Sequence, residues 1–263
     1  MEQKALFFDI DGTLLSEVTG QVPESAQKAL RRAMELGVLC FVNTGRTLCS
    51  LPPELKRIPF SGFLCGCGTQ ILFGDEELYS RTIPRDRRKE LVACIWDCGA
   101  EAILEGREDC YFSSRRSRFE KIESTRRYFR QMGIGIEKYL DKEEVEFDKF
   151  VFYVDEHTDR KTLFEEIGKD MDIIDRRDHF YEVIPRGCSK ATAIRRVLEH
   201  FQISEEQAYV FGDSNNDLSM FQCVRHTIAM GKHDPVLAPY TEFVTKTVEE
   251  DGIAYAMERY GLI

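Results

Sequence analysis

Short, unbroken apolar runs that end at acidic or glycine-rich turns alternate along this chain with stretches in which alanine and leucine recur at helical spacing. Ala5-Leu6-Phe7-Phe8 is continuously apolar and stops at Asp9, the pattern of a strand buried on both faces in a parallel sheet. From Pro23 through Leu36 the spacing predicts a helix, with Pro23 suited to its first turn and Gly37 to its stop. Val38-Leu39-Cys40-Phe41-Val42 predicts a second strand, ended by Asn43-Thr44-Gly45-Arg46. Strand, helix, strand is the βαβ unit of a parallel α/β layer.

After Phe63-Leu64-Cys65 the pattern changes. Gln70-Ile71-Leu72-Phe73 and Glu77-Leu78-Tyr79-Ser80 flank Gly74-Asp75 and predict a hairpin. The middle of the chain then mixes helices (85–98, 120–132, 158–169) with strands (149–154, 180–184), enough for a small α/β domain inserted into the first. From Ser189 the alternation returns: a helix to His200, a strand at Ala208-Tyr209-Val210-Phe211, short strands within 224–229 and at Phe243-Val244, and a closing helix over 248–259. The core is therefore expected to be discontinuous, built from both ends of the chain.

Composition narrows the partners. A formal net charge of -10 argues against a nucleic-acid partner, since backbone binding uses a concentrated basic surface. The run Ser113-Ser114-Arg115-Arg116-Ser117-Arg118 is basic and reads as a solvated turn or helix face. The start Met1-Glu2-Gln3-Lys4 carries no apolar signal segment, and no stretch approaches the roughly 20 apolar residues of a membrane span. A cytoplasmic protein is expected. The nine cysteines lack framework spacing, and neither Cys65 with Cys67 nor Cys94 with Cys98 has a second metal-ligating pair beside it.

Asp9-Ile10-Asp11-Gly12-Thr13 sets two carboxylates where a buried strand gives way to a glycine turn. Acids at strand ends also cap or bind solvent, but this pair has a chemical use: one aspartate attacks phosphorus while the other donates and later accepts a proton. Two like charges call for a counterion. Gly212-Asp213-Ser214-Asn215-Asn216-Asp217 repeats the pattern after another apolar strand, and oxygen ligands from Asp9 and Asp213 suit Mg²⁺ better than zinc. Thr44, Gly45 and Arg46 offer a hydroxyl and backbone N–H groups to phosphate oxygens, or form a simple turn. Lys190, at the start of a predicted helix, is either solvated or the cation that balances the aspartates. All four loops fall where open α/β sheets bind ligands.

Taken in order, these residues resemble the haloacid dehalogenase superfamily, in its Cof-type sugar-phosphatase branch. Phe8-Asp9-Ile10-Asp11-Gly12-Thr13-Leu14 is similar to its first motif, Thr44-Gly45-Arg46 to the second, Lys190 to the third, and Gly212-Asp213 with Asn216-Asp217 to the fourth. The resemblance spans essentially the whole chain. It implies a Rossmann-like parallel sheet core, residues 1–81 and 186–263, with an inserted α/β cap over 82–185. It further implies an Mg²⁺-dependent phosphatase for a small phosphorylated metabolite. Asp9 would be the nucleophile and Asp11 the general acid/base; Thr44, Gly45, Arg46, Lys190 and Asn216 would bind phosphate or substrate. Asp9, the backbone carbonyl of Asp11, and Asp213 would ligate the metal, with Asp217 supporting its shell or orienting Lys190. One departure stands out: Cys65-Gly66-Cys67-Gly68-Thr69 occupies the place where relatives often carry an asparagine-glycine pair. Two alternatives use the same residues, a phosphomutase with the same aspartyl phosphate and a non-catalytic phosphate-binding protein.

Overall fold

The computed structural model describes residues 2–263. In chain order the elements are β1 (Ala5–Phe8), α1 (Glu24–Glu35), β2 (Leu39–Asn43), β3 (Gly62–Cys65), β4 (Gln70–Phe73), β5 (Glu76–Ser80), α2 (Arg85–Asp97), β6 (Glu101–Glu105), β7 (Cys110–Tyr111) and α3 (Glu120–Gln131). They continue with β8 (Lys149–Tyr153), α4 (Arg160–Ile167), β9 (Met171–Asp175), β10 (Phe180–Pro185), α5 (Lys190–Phe201), β11 (Ala208–Gly212), α6 (Leu218–Phe221), β12 (His226–Ala229), β13 (Phe243–Val244) and α7 (Gly252–Arg259). Two compact units result. Among the described residues the first contains 2–45, 51–79 and 189–263, the second 46–50 and 80–188. No described helix is long and apolar enough to cross a membrane.

The first unit is built on an eight-stranded sheet in the order β13-β12-β11-β1-β2-β3-β4-β5. Every side chain of β1 is buried, as its uninterrupted apolar run requires. It pairs in parallel with β11 on one side, Phe8 opposite Phe211, and with β2 on the other, Phe8 opposite Val42. The register brings the carboxyl ends of three central strands to one edge. Phe7 and Phe8 are fully buried, each contributing roughly 1.5–3 kcal/mol. The turn from β3 to antiparallel β4 runs through Gly66, Cys67 and Gly68, all at positive φ.

The second unit has a five-stranded sheet in the order β7-β6-β8-β10-β9, antiparallel throughout its inner pairs. Phe150 and Phe152 of β8 pack into one apolar cluster with Leu91 of α2 and Leu163 of α4. Val151 and Tyr153, on the opposite face, join a second cluster with Ile122 and Phe129 of α3. Two expected helices are shorter than their spacing predicts. Asp159 accepts the Thr162 N–H and starts α4 at Arg160, and Asp251, at φ +63°, separates a 3₁₀ turn from α7. Residues 46–50, expected in the core, group with the second unit.

Candidate active site

Asp9 continues β1, and its N–H donates to the Phe211 carbonyl at 3.0 Å. Asp213 follows β11 directly. Asp217 lies in the next 3₁₀ turn and is fully buried; its Oδ2 accepts the N–H groups of Asp213 at 2.9 Å and Ser214 at 3.0 Å. Lys190 opens α5, fixed there by a capping box between Ser189 and Thr192. Although only 1% exposed, its Nζ reaches Asp9 Oδ1 at 2.6 Å and Asp217 Oδ1 at 2.5 Å. Asn43 Nδ2 donates to the Lys190 carbonyl at 3.1 Å, holding the start of α5 against the end of β2.

Gly12 is the residue that lets the two acidic loops approach. At φ +81°, a Cβ there would lie 2.5 Å from Asp213 Oδ2, a distance no real contact permits. Beside it the Thr13 hydroxyl donates to Asp213 Oδ1 at 2.7 Å. Burial, then the neighbouring Asp217, push the Asp9 carboxyl up to about 7 despite the opposing pull of Lys190. Burial, then Asp9 and Asp217, push Asp213 up to about 8. For Lys190 burial works against the charge, but Asp217 and Asp9 outweigh it and the ammonium is held.

Asp9, Asp213 and Asp217 form a group whose carboxylate oxygens lie within 4.8 Å of one another, and one ammonium faces them. Ionised, the set carries a surplus of two negative charges in a buried place, which a divalent cation offsets. Oxygen donors alone fit a hard ion such as Mg²⁺. Asp217 is the least free of the three, since Lys190 and two N–H groups already occupy its oxygens; Asp9 and Asp213 are the better ligands.

The remaining predicted residues stand as follows. Asp11 is exposed, one residue beyond the buried Ile10. Thr44 is buried; its N–H donates to the Leu64 carbonyl at 2.9 Å and its carbonyl accepts the Cys67 N–H at 3.0 Å, with Gly45 next in the chain. Cys67 sits at φ +54°, a left-handed conformation that non-glycine residues seldom adopt. Asn216 Oδ1 accepts the Ser214 hydroxyl at 2.6 Å and so helps shape its loop. Arg46 groups with the second unit, where it donates to the Ser50 carbonyl at 3.1 Å and lies 5.8 Å from the Tyr128 ring centre. Sequence reasoning gave no role to Thr13, Asn43 or Ser189. Thr13 lies within the first motif and Asn43 precedes the second, but their partners are about 150 to 200 residues away in sequence and nothing local reveals them.

The haloacid dehalogenase-like hydrolase family model matches residues 6–257. The chain is 28% identical over 263 residues to YkrA of Bacillus subtilis (strain 168), whose name gives phosphatase activity provisionally, with all of both chains covered. It is 26% identical over 262 residues to the 5-amino-6-(5-phospho-D-ribitylamino)uracil phosphatase YcsE of the same organism, covering 98% of this chain and 96% of that one. The solved structure of the HAD subclass IIB sugar phosphatase BT4131 matches with a TM-score of 0.82 at 26% identity, over 99% of this chain and 100% of that one. The chain belongs to the haloacid dehalogenase-like hydrolases. Within them it is a phosphomonoester hydrolase of the Cof-type branch.

Proposed function

We propose that the chain is a cytoplasmic, Mg²⁺-dependent phosphatase that moves the phosphoryl group of a small metabolite, a sugar phosphate or similar monoester, onto Asp9 and then hydrolyses it. The observation that carries this reading is the buried bridge from Lys190 to Asp9 and Asp217 beside Asp213. Asp9 attacks phosphorus as the bond to the leaving oxygen breaks, and Asp11, exposed at the turn, gives that oxygen its proton. Asp11 then takes a proton from water, which attacks the aspartyl phosphate and releases inorganic phosphate with Asp9 restored. Lys190 pulls Asp9 toward its ionised form and offers a positive charge to the transferring group, while Thr44, Gly45 and Asn216 supply polar contacts around it. Mg²⁺, held by Asp9, the Asp11 carbonyl and Asp213, would neutralise phosphate charge and orient the ester.

In the same reading residues 1–81 and 186–263 perform the chemistry, Arg46 among their phosphate- or substrate-binding residues, and the insert 82–185 selects the substrate. The breaks between compact units, at Tyr79 and Cys188, fall close to those bounds. Sugar phosphates, pyridoxal phosphate, flavin mononucleotide and nucleotides, screened with Mg²⁺, test the substrate class. Asp9→Asn, nearly isosteric, is expected to abolish turnover of every ester while the fold is kept; retained turnover would remove the mechanism. Asp11→Asn is expected to slow alkyl esters far more than nitrophenyl esters, whose leaving oxygen needs no proton, and equal losses would contradict its role.

A further inference from the structure

We propose that a cavity in the second unit binds a small organic anion, a phosphate or carboxylate carried on a single flat ring. The cavity, of about 220 Å³, is lined by apolar Ile95, Trp96 and Ile122 and by Arg115, Arg116 and Ser117, with Glu101, the ion-pair partner of Arg118, also in its wall. None of these residues belongs to the Asp9 group.

The basic run that reads as a solvated face is held in place. Arg126, 5% exposed, donates to the carbonyls of Ser113 at 2.7 Å and Arg115 at 3.2 Å. The Ser117 N–H donates to Glu123 Oε1 at 2.8 Å. Arg118 is neutralised by Asp155 at 2.6 Å and Glu101 at 2.8 Å. After these pairings two cations remain. Among the described residues the Arg115 and Arg116 guanidinium groups have no hydrogen-bond or ion-pair partner, and Arg116 acts only at longer range on Glu120, which Arg127 already holds at 2.6 Å. A fixed loop thus presents two adjacent unpaired guanidinium groups, the side chain best suited to forked recognition of phosphate or carboxylate. Trp96 lines the same cavity and leaves 36% of its surface exposed, an aromatic side chain available to a ring.

Size sets the ligand. Sites for drug-sized molecules run to roughly 300–1,000 Å³, so this cavity takes one ring and one anionic group. A nucleic-acid strand does not suit it, since strand binding needs a groove that follows the backbone and the chain's net charge is -10.

Trp96 is the chain's single tryptophan, so its emission reports on this cavity. Phenylphosphonate, whose carbon–phosphorus bond is not an ester, and benzoate are titrated into the full-length protein while tryptophan fluorescence is followed. At least one is expected to give a saturable change, and the tighter of the two identifies the anionic group. Arg115→Ala combined with Arg116→Ala, checked for fold by circular dichroism, is expected to raise that Kd roughly tenfold or more. Inorganic phosphate, which lacks the ring, is expected to bind more weakly. No saturable change with either probe, or an unaltered titration in the double variant, overturns the proposal; phosphate binding as tightly as phenylphosphonate overturns the ring-bearing class.

Discussion

The Lys190 ammonium sits 2.5 Å from Asp217 Oδ1, with both side chains withdrawn from solvent and a third group, Asp9, 2.6 Å away on the same nitrogen. Asp217 thereby aims the lysine at Asp9 while its other oxygen gathers two N–H groups of the Asp213 loop. One buried carboxylate sets the position of a cation and of an acidic loop together.

Lys190→Met keeps the length of the side chain and removes its charge. Turnover is expected to fall at least about a hundredfold, the range seen when one preorganised charge or donor is lost from a reaction site. Stability in chelator is expected to fall by about 3–5 kcal/mol, the cost of breaking a buried pair by removing one partner, and less to the extent that the stranded carboxylates take up protons. Steady-state kinetics and urea unfolding of the same preparation check both.

Gly12→Ala places a methyl group 2.5 Å from Asp213 Oδ2 at a positive φ. Gly20 shares the positive φ, at +68°, but has nothing within 4 Å of its would-be Cβ. Both substitutions carry the left-handed backbone strain, about 1–2 kcal/mol; only Gly12→Ala also displaces Asp213. Unfolding free energies should therefore show a modest loss for Gly20→Ala with activity intact, and a larger loss with most activity gone for Gly12→Ala.

Removal of divalent ions should silence turnover, and Mg²⁺ should restore it, with Ca²⁺ inhibiting because its larger, looser shell positions the reactants poorly. An ion held only by the folded state stabilises it, so in the proposed reading Mg²⁺ should also raise Tm. The rise should shrink in Asp213→Asn, which a thermal scan with and without chelator reads directly.

Acid should weaken the second unit through Asp155. The Arg118 hydrogen bond, opposed by partial burial, lowers this carboxyl from 3.8 to about 2. A depressed acid stabilises the folded state above its unfolded value and loses that contribution as pH falls through its folded one. The window is therefore about pH 4 down to about pH 2, and solvent screening keeps the amount at or below about 1 kcal/mol. Urea midpoints of Asp155→Asn should decline less steeply across that window than those of the parent.

What was legible follows from where the information lies. β1, β2 and β11 are continuous apolar runs with acids or glycine at their ends, so both strand and reactive loop are written locally. β6 and β9 escape the same reading. Glu101-Ala102-Ile103-Leu104-Glu105 carries only three apolar residues, and Glu105 is buried because Lys149, its register partner on β8, lies 3.3 Å away. Met171-Asp172-Ile173-Ile174-Asp175 is an edge strand, paired only to β10 and only partly buried. The site divides in the same way: Asp9, Asp11, Asp213, Asp217 and Lys190 stand out by type and place, whereas the assistance of Thr13 and Asn43 depends on pairings made only in the folded chain. Arg46 is two residues from Thr44 in sequence, yet its segment groups with the second unit, an assignment no local pattern records.

The position of β1 between β2 and β11 also dictates an order of events during synthesis. Ala5 has Leu39 as a neighbour early, but its other partner is Ala208. At 5–20 residues per second the ribosome delivers that strand roughly ten seconds or more after β1. Every strand of the second unit's sheet lies between Glu101 and Pro185, so that sheet is complete in the nascent chain before the first can close. Until β11 arrives, one edge of an entirely apolar strand lacks its partner, the kind of surface that invites wrong pairing. The vulnerable interval in making this protein is therefore set by β1, and any need for a chaperone should centre on Ala5–Phe8 rather than on the insert.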